Sequence, residues 1–383
     1  MASMTKLKVG ILTFHRAYNY GALLQSFALQ QVLLQMGTDV EFLNYRCPAI
    51  ENFYVYGLFP HFSRNPRRWI FQLAEHRAKK LQQKKCEEFR NHYLRMSRDY
   101  DDNNRGDVIG QYDLLITGSD QIWNPSLTRG KSDWYAFLRQ TDSQTIVSYA
   151  ASVGSLYSFR YYFRFYEQNL AAYDRISVRE ENVKKYLETH LNRSVDLVVD
   201  PTLLVQKDIW FDLMSASSME NEPYLLYYDV ETNDEARKIA CRLSREKNLK
   251  LVHFNRELIF RESSHYAQNQ GPCEFLSLIA HAEAVVTSSF HATVFSVLFE
   301  KQFIVVPHSK TGDRVRELLK KTGLESRFVE KDNVRVSALC DTEIDYVKAL
   351  KKLDNLRDAS MAYLEECVQL AEEKAYPQNR KNR

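Results

Sequence analysis

The chain has 383 residues, 44% hydrophobic and 26% charged, with a formal net charge of +3. That size and balance describe a folded globular protein of about two domains and exclude a disordered chain. The charge is too small to argue for a nucleic-acid partner, and no apolar run is long enough to span a bilayer.

Six cysteines (Cys47, Cys86, Cys241, Cys273, Cys340 and Cys367) are scattered and form no CxxC pair. Zinc-ribbon and thioredoxin-type sites are therefore not expected, and dispersed thiols fit a reducing cytosol. Met1-Ala2-Ser3-Met4 has no charged segment leading into an apolar one, so no secretory signal is expected and the expected location is cytoplasmic. Twenty-three Tyr and 21 Phe are enough both for large cores and for surfaces that stack on sugars.

Residues 8–14 read as a buried strand, 22–36 as a helix stopped by Gly37, and 40–46 as a second strand, which makes one right-handed βαβ unit. Residues 64–98 read as a long basic helix, with eleven Lys or Arg against three Glu. A polar loop is expected over 99–107. Strands are expected over 114–117 and 145–149, an aromatic-rich helix over 158–173, a strand over 175–179, a helix over 181–191 and a strand over 195–199.

The alternation then restarts. Strands are expected at 224–230, 249–254, 284–288 and 302–307, with helices at 234–247, 272–281, 291–299 and 313–322 and a long helical region over 343–374. Two strand–helix series predict an α/β protein of two Rossmann-like, doubly wound domains. The expected limits are 1–210 and 211–342, followed by a helical region 343–383.

No GxGxxG, GxxxxGK[ST], HExxH or GxSxG motif is present, which argues against dehydrogenases, P-loop enzymes, zinc peptidases and α/β-hydrolases. Several strand ends carry chemistry instead. At Thr287-Ser288-Ser289-Phe290-His291 an apolar strand runs through hydroxyl residues into a helix. Such a junction aims backbone N–H groups and a positive helix end at the ligand crevice of an open sheet, and His291 can move a proton near neutral pH.

At Asn19-Tyr20-Gly21-Ala22 the glycine permits close approach of a ligand to a helix start, or an ordinary βα turn. Gly118-Ser119-Asp120-Gln121, followed by Trp123, offers polar groups for sugar hydroxyls and a ring for the C–H face, or a polar loop with a core indole. Arg179, at a strand end in Ser177-Val178-Arg179-Glu180, suits a carboxylate or phosphate, or an internal ion pair. Asp99-Tyr100-Asp101-Asp102 has the Asp-x-Asp spacing of metal-dependent sugar-nucleotide transferases, but no apolar strand leads into it and it reads as a solvated loop.

The ordered set of Asn19-Tyr20-Gly21-Ala22, Asp113-Leu114-Leu115-Ile116-Thr117-Gly118-Ser119-Asp120-Gln121-Ile122-Trp123-Asn124, Ile176-Ser177-Val178-Arg179-Glu180, Val199-Asp200-Pro201-Thr202-Leu203 and Ser289-Phe290-His291 resembles the polysaccharide pyruvyl transferase family over roughly residues 6–330. The resemblance implies a GT-B-like arrangement with the active site between the two domains. It also implies phosphoenolpyruvate as donor, and a sugar or lipid-linked oligosaccharide of a surface polysaccharide as acceptor. The product is a pyruvate ketal across two hydroxyls of one sugar.

Family motifs place donor contacts on Arg179 and His291, with Ser288 and Ser289 beside them. Some members carry an arginine where this chain has Ser289, which makes Arg314 and Arg316 the candidates for the missing charge. His291 suits the acid that protonates the donor methylene, and Asp120 the base on the acceptor side. Asn19, Tyr20, Gly21, Ser119, Gln121 and Trp123 are the expected acceptor contacts. No metal and no cofactor is called for. The alternative reading is a GT-B glycosyltransferase using a sugar nucleotide.

The basic arm 64–98, with Arg67, Arg68, Lys79, Lys80, Lys84, Lys85 and Arg90 beside Trp69, Ile70, Phe71 and Leu73, is a candidate contact with the inner face of an anionic membrane, or a solvated surface helix.

Overall fold

The computed structural model describes residues 6–45, 66–101, 104–128, 144–215, 222–230, 233–254, 265–267, 269–307, 312–332 and 335–377; for 66–75, 128, 266 and 335 it describes the backbone alone. The chain divides into two compact units. One comprises residues 1–55, 90–205 and 355–383, and the other 56–89 and 206–354.

The first unit is built on β1 (Lys8–Leu12), β2 (Asp39–Phe42), β3 (Leu114–Thr117) and β4 (Thr145–Ser148), ordered β2-β1-β3-β4 and parallel throughout. β3 and β4 are buried along their whole length, as expected of strands covered by helices on both faces. Single bridges from Val147 to Arg175 and from Ala151 to Val178 carry the sheet on to β5 (Ser177–Val178), which pairs with β6 (Asp196–Leu197). Bridges from Met96 to Phe42 and from Tyr100 to Tyr45 extend the other edge, so Tyr100 is buried in what the sequence suggests is a solvated loop. Asp102 lies outside the described residues.

The second unit holds β7 (Tyr224–Tyr228), β8 (Lys250–His253), β9 (His265–Tyr266), β10 (Ala284–Thr287) and β11 (Gln302–Val305) in the parallel order β11-β10-β7-β8-β9. Both sheets reverse direction next to their first strand, between β1 and β3 and between β7 and β10. Loops leaving the carboxyl ends of two such strands splay apart and leave a crevice.

Local sequence explains the main departures from the expected elements. The aromatic helix is two helices, Leu156–Tyr161 and Phe163–Leu170, broken at Tyr162. Residues 99–107 are not all loop, since a short helix starts at Arg105. β9 has two residues and therefore no periodicity to detect.

The C-terminal helix Tyr346–Ala375 starts in the second unit, where Tyr346 Oη donates to Lys301 O. From residue 355 it belongs to the first. There Val199 N donates to Ser360 Oγ (3.0 Å), Tyr363 Oη to Ser148 O (2.8 Å) and Lys374 Nζ to Asp174 (2.6 Å).

The basic segment forms one helix, Pro66–Tyr93. Packing takes charges off its surface. Lys79 and Arg90 are buried, and Lys85 bonds Glu274 (2.5 Å). Arg77, Lys80 and Lys84 stay exposed. The side chains of Trp69, Ile70, Phe71 and Leu73 lie outside the described residues. No helix among the described residues is long and apolar enough to cross a membrane.

Cys86, Cys241 and Cys367 are buried thiols outside any disulfide. Burial pushes the Cys367 thiol up to about 12, so at pH 8 roughly one molecule in 10⁴ carries the reactive thiolate. Iodoacetamide at that pH should leave Cys367 unmodified in the native protein and label it fully in urea. Peptide mass spectrometry reads both, and rapid native labelling would show that Cys367 on the C-terminal helix is not buried.

Candidate active site

The junction that carries His291 forms at the strand reversal of the second unit. Thr287 Oγ1 donates to Tyr228 O (2.6 Å) and accepts from Ser289 N (3.0 Å). Ser288 Oγ donates to Asp229 Oδ1 and accepts from Val230 N (3.2 Å). The other oxygen of Asp229 takes Tyr227 Oη (3.1 Å) and Asn233 N (2.8 Å), and Asn233 caps the helix Asp234–Glu246. Small hydroxyl residues thus lock the loops after β7 and β10 together.

Ser289 is the N-cap of the helix Phe290–Leu298, its hydroxyl accepting from Ala292 N (3.3 Å). His291 is the second residue of that helix, half-buried where the positive end of the dipole lies. Ser288 and Ser289, expected at the donor, are both buried and take part in these structural bonds.

The two candidate arginines separate. The Arg314 guanidinium lies over the ring of Phe290, 5.7 Å from its centroid, and so reaches the His291 junction. Phe290 in turn meets the His291 ring edge-on at 5.2 Å. Arg316 pairs with Glu330 (2.7 Å) and covers Phe328. Residues two apart on a helix point to different sides, so the helix Gly312–Thr322 cannot aim both at one place.

In the first unit, Arg179 is the hub of an ion cluster at the carboxyl ends of the strands. It bonds Asp200 and stands 3.6 Å from both Asp120 and Glu180. Asp200 also accepts from Thr202 Oγ1 (2.7 Å) and Ser119 Oγ (3.4 Å), and Glu180 from Ser152 Oγ (2.5 Å). Burial alone would favour loss of the Arg179 charge, but the carboxylates of Asp200, Glu180 and Asp120 raise its affinity for its proton.

Side-chain exposure is 3% for Arg179, 0% for Asp200 and 8% for Glu180, against 16% for Asp120, which makes Asp120 the member most open to a ligand. Its backbone is left-handed, with φ of 59°, a conformation that costs a non-glycine residue about 1–3 kcal/mol and that clusters at functional sites. Gly118 shapes the same loop: its φ is +127°, and a Cβ there would lie 2.2 Å from Tyr149 O.

The other expected acceptor residues divide. Asn19 and Gln121 are partly exposed; Asn19 caps the helix Tyr20–Gln35 and Gln121 bonds Asn124 (2.8 Å). Tyr20, Gly21 and Ser119 are buried. Trp123 is fully buried and edge-on to Tyr173 at 6.1 Å, so its indole is core and offers no face to a sugar.

A family model for polysaccharide pyruvyl transferases matches residues 19–310. The chain belongs to the polysaccharide pyruvyl transferase family. No curated protein matches it in sequence. Its fold is similar to a crystal structure of a UDP-N-acetylglucosamine 2-epimerase (TM-score 0.52, 12% identity, 97% of each chain). It is also similar to the UDP-N-acetylglucosamine 2-epimerase of Rickettsia bellii (0.50, 9%, 96% of this chain and 99% of that one) and to Os79 of O. sativa in complex with UDP (0.50, 11%, 96% and 100%). At these identities the likeness shows a shared two-unit, GT-B-like fold.

Two site features of this family member are absent from the sequence expectations. Asp229, the partner of Ser288, follows the β7 run directly, and a lone acid after an apolar strand is the signal that points to it. His15, in the loop after β1, is 1% exposed, with Nδ1 donating to Thr13 O (3.0 Å). Burial, with the charges of Arg90 and Arg16, lowers its pKa to about 3, so it stays neutral.

Unfolded His15 binds a proton below about pH 6.5, whereas the folded form does not until about pH 3. Stability should therefore fall with acidification across that window, by about 1.4 kcal/mol per pH unit from this residue. Urea midpoints from pH 7 to pH 4 should show a shallower acid loss in His15→Asn; parallel curves would mean that His15 titrates normally. Arg179→Met, which leaves three carboxylates without their cation, should lower stability by about 3–5 kcal/mol in the same assay. An unchanged midpoint would show that the cluster is not closed as described.

Proposed function

We propose that this family member forms a pyruvate ketal on a sugar of a surface-polysaccharide precursor, with phosphoenolpyruvate as donor. The observation that carries the reading is His291 in the first turn of a helix at the strand reversal of the second unit, with Arg314 drawn to the same junction by Phe290. A donor with a carboxylate and a phosphate calls for an arginine and a positive helix end.

His291 gives its proton to the methylene carbon, and a sugar hydroxyl adds at C2 while Asp120 takes the hydroxyl proton. The C2–O bond to phosphate then breaks and inorganic phosphate leaves with its electron pair. The departing phosphate takes the proton held by Asp120; the second hydroxyl adds at C2 and its proton returns to His291, which closes the ketal and restores both groups. Arg179 enters through Asp120, whose carboxylate it holds; a direct donor contact by Arg179 would require the ligand to take Asp120's place.

Purified protein with phosphoenolpyruvate and a panel of lipid-linked saccharides should release phosphate and add the mass of a pyruvyl ketal. His291→Ala should lower kcat by roughly 10²–10⁴-fold, and Arg314→Ala should mainly raise the KM for phosphoenolpyruvate. Unchanged kinetics in both variants would remove these residues from the site.

The glycosyltransferase alternative draws support from the fold shared with a UDP complex. A thermal shift compares the two directly, because a specific ligand raises Tm by mass action. A shift with UDP and none with phosphoenolpyruvate would favour the alternative.

Contact with an anionic membrane, near a lipid-linked acceptor, rests on the exposed row of Arg77, Lys80 and Lys84, each basic residue being worth about 1 kcal/mol near such a surface. Co-sedimentation with phosphatidylglycerol vesicles should occur at low salt and weaken when these three become Gln. Protein that remains in the supernatant at low salt would rule the contact out.

A further inference from the structure

Trp123 being core, the acceptor side needs another aromatic surface if it stacks on sugars, and the first unit has one. Tyr157 is 89% exposed and Tyr161 85%, while Tyr162 beside them is 42% exposed. Large rings left almost wholly in water on a folded protein mark a binding surface when they occur together. Tyr157 and Tyr161 are four residues apart on the helix Leu156–Tyr161 and so share one side of it.

The opposite side is anchored. Phe159 is fully buried, with its ring 4.5 Å from that of Tyr166 and 6.0 Å from that of Phe163. The Tyr162 ring meets Tyr161 edge-on at 5.1 Å and limits its rotamers. The helix that carries the two rings is thus fixed by its buried side, and Tyr161 is partly held by Tyr162.

Its place in the chain ties it to Asp120. Ser152 N donates to Asp120 O (2.9 Å), and Gly154, two residues on, lies against Gln121 and Asn124. Tyr157 follows Ser152 by five residues, so at full extension it stands at most about 18 Å away.

We propose that Tyr157 and Tyr161 form a stacking subsite for an outlying sugar of an oligosaccharide acceptor, a few units from the sugar that is modified. Tyrosine suits this role because its ring covers the apolar C–H face of a pyranose while its hydroxyl stays in water. The inference rests on the pyruvyl-transfer reading for the side of the molecule that the acceptor uses. Exposed Arg164, on the next helix, adds positive charge and favours saccharides that carry a carboxylate.

The test is binding, so it does not depend on turnover. Saturation-transfer NMR on the full chain, with neutral and uronic-acid hexose oligosaccharides from disaccharide to hexasaccharide, should show contact for the longer members. Tyr157→Ala and Tyr161→Ala should each weaken that binding about tenfold with Tm unchanged, and Tyr157→Phe should retain it. Variants that bind as the parent does, or a parent that binds no member of the panel, would overturn the subsite. So would tyrosine-dependent sedimentation with phosphatidylglycerol vesicles in place of saccharide binding, which would assign the rings to a lipid surface. Loss of saccharide binding in the variants, in a protein that consumes no phosphoenolpyruvate, would keep the subsite and remove the pyruvyl-transfer reading alone.

Discussion

The buried guanidinium of Arg179 is the constraint on which the first unit's candidate site depends. It stands at the end of β5 and holds carboxylates from the ends of β3, β5 and β6, while Ser152 ties the loop after β4 to Glu180. Parallel strands release their loops at one edge of the sheet, and those loops diverge unless something crosses between them. A cation among three acids crosses them at the cost of desolvating every member, which makes the loops rigid as long as all partners stay. Asp120 is the cluster's outward member, so the same charge that fixes the loop orients the carboxylate we propose as the base toward a sugar hydroxyl.

The second unit joins its loops through hydroxyl groups. Thr287, Ser288 and Asp229 join the loops after β7 and β10 through short hydroxyl bonds, and Ser289 caps the helix that follows. Hydroxyls give and accept in one position, so these loops close with small side chains. Arg314 reaches this junction from a separate helix, over Phe290.

Aromatic residues serve two purposes in one stretch. Phe159, Phe163 and Tyr166 lie under the helices after β4 and pack with Trp123, while Tyr157 and Tyr161 face water. Helical spacing makes this division within Leu156–Tyr161: Tyr157 and Tyr161 share one side, and buried Phe159 lies on the other.

The sequence by itself determined the two α/β series and the family, because buried parallel strands read as apolar runs and the motifs sit at their ends in a fixed order. It also located the His291 junction, where small hydroxyls between a strand and a helix are visible locally. Tertiary structure alone decided what each side chain does there. Trp123 is core because Tyr166 and Tyr173 close over it, and Arg179 is enclosed because Asp200 returns beside it from another strand. Arg314 and Arg316 look alike in sequence but lie on different sides of one helix. His15 and Asp229 went unmarked because their roles come from partners that pairing of distant strands brings close. Periodicity reports which face of an element is apolar; which polar groups meet at its end is set by the order of the strands.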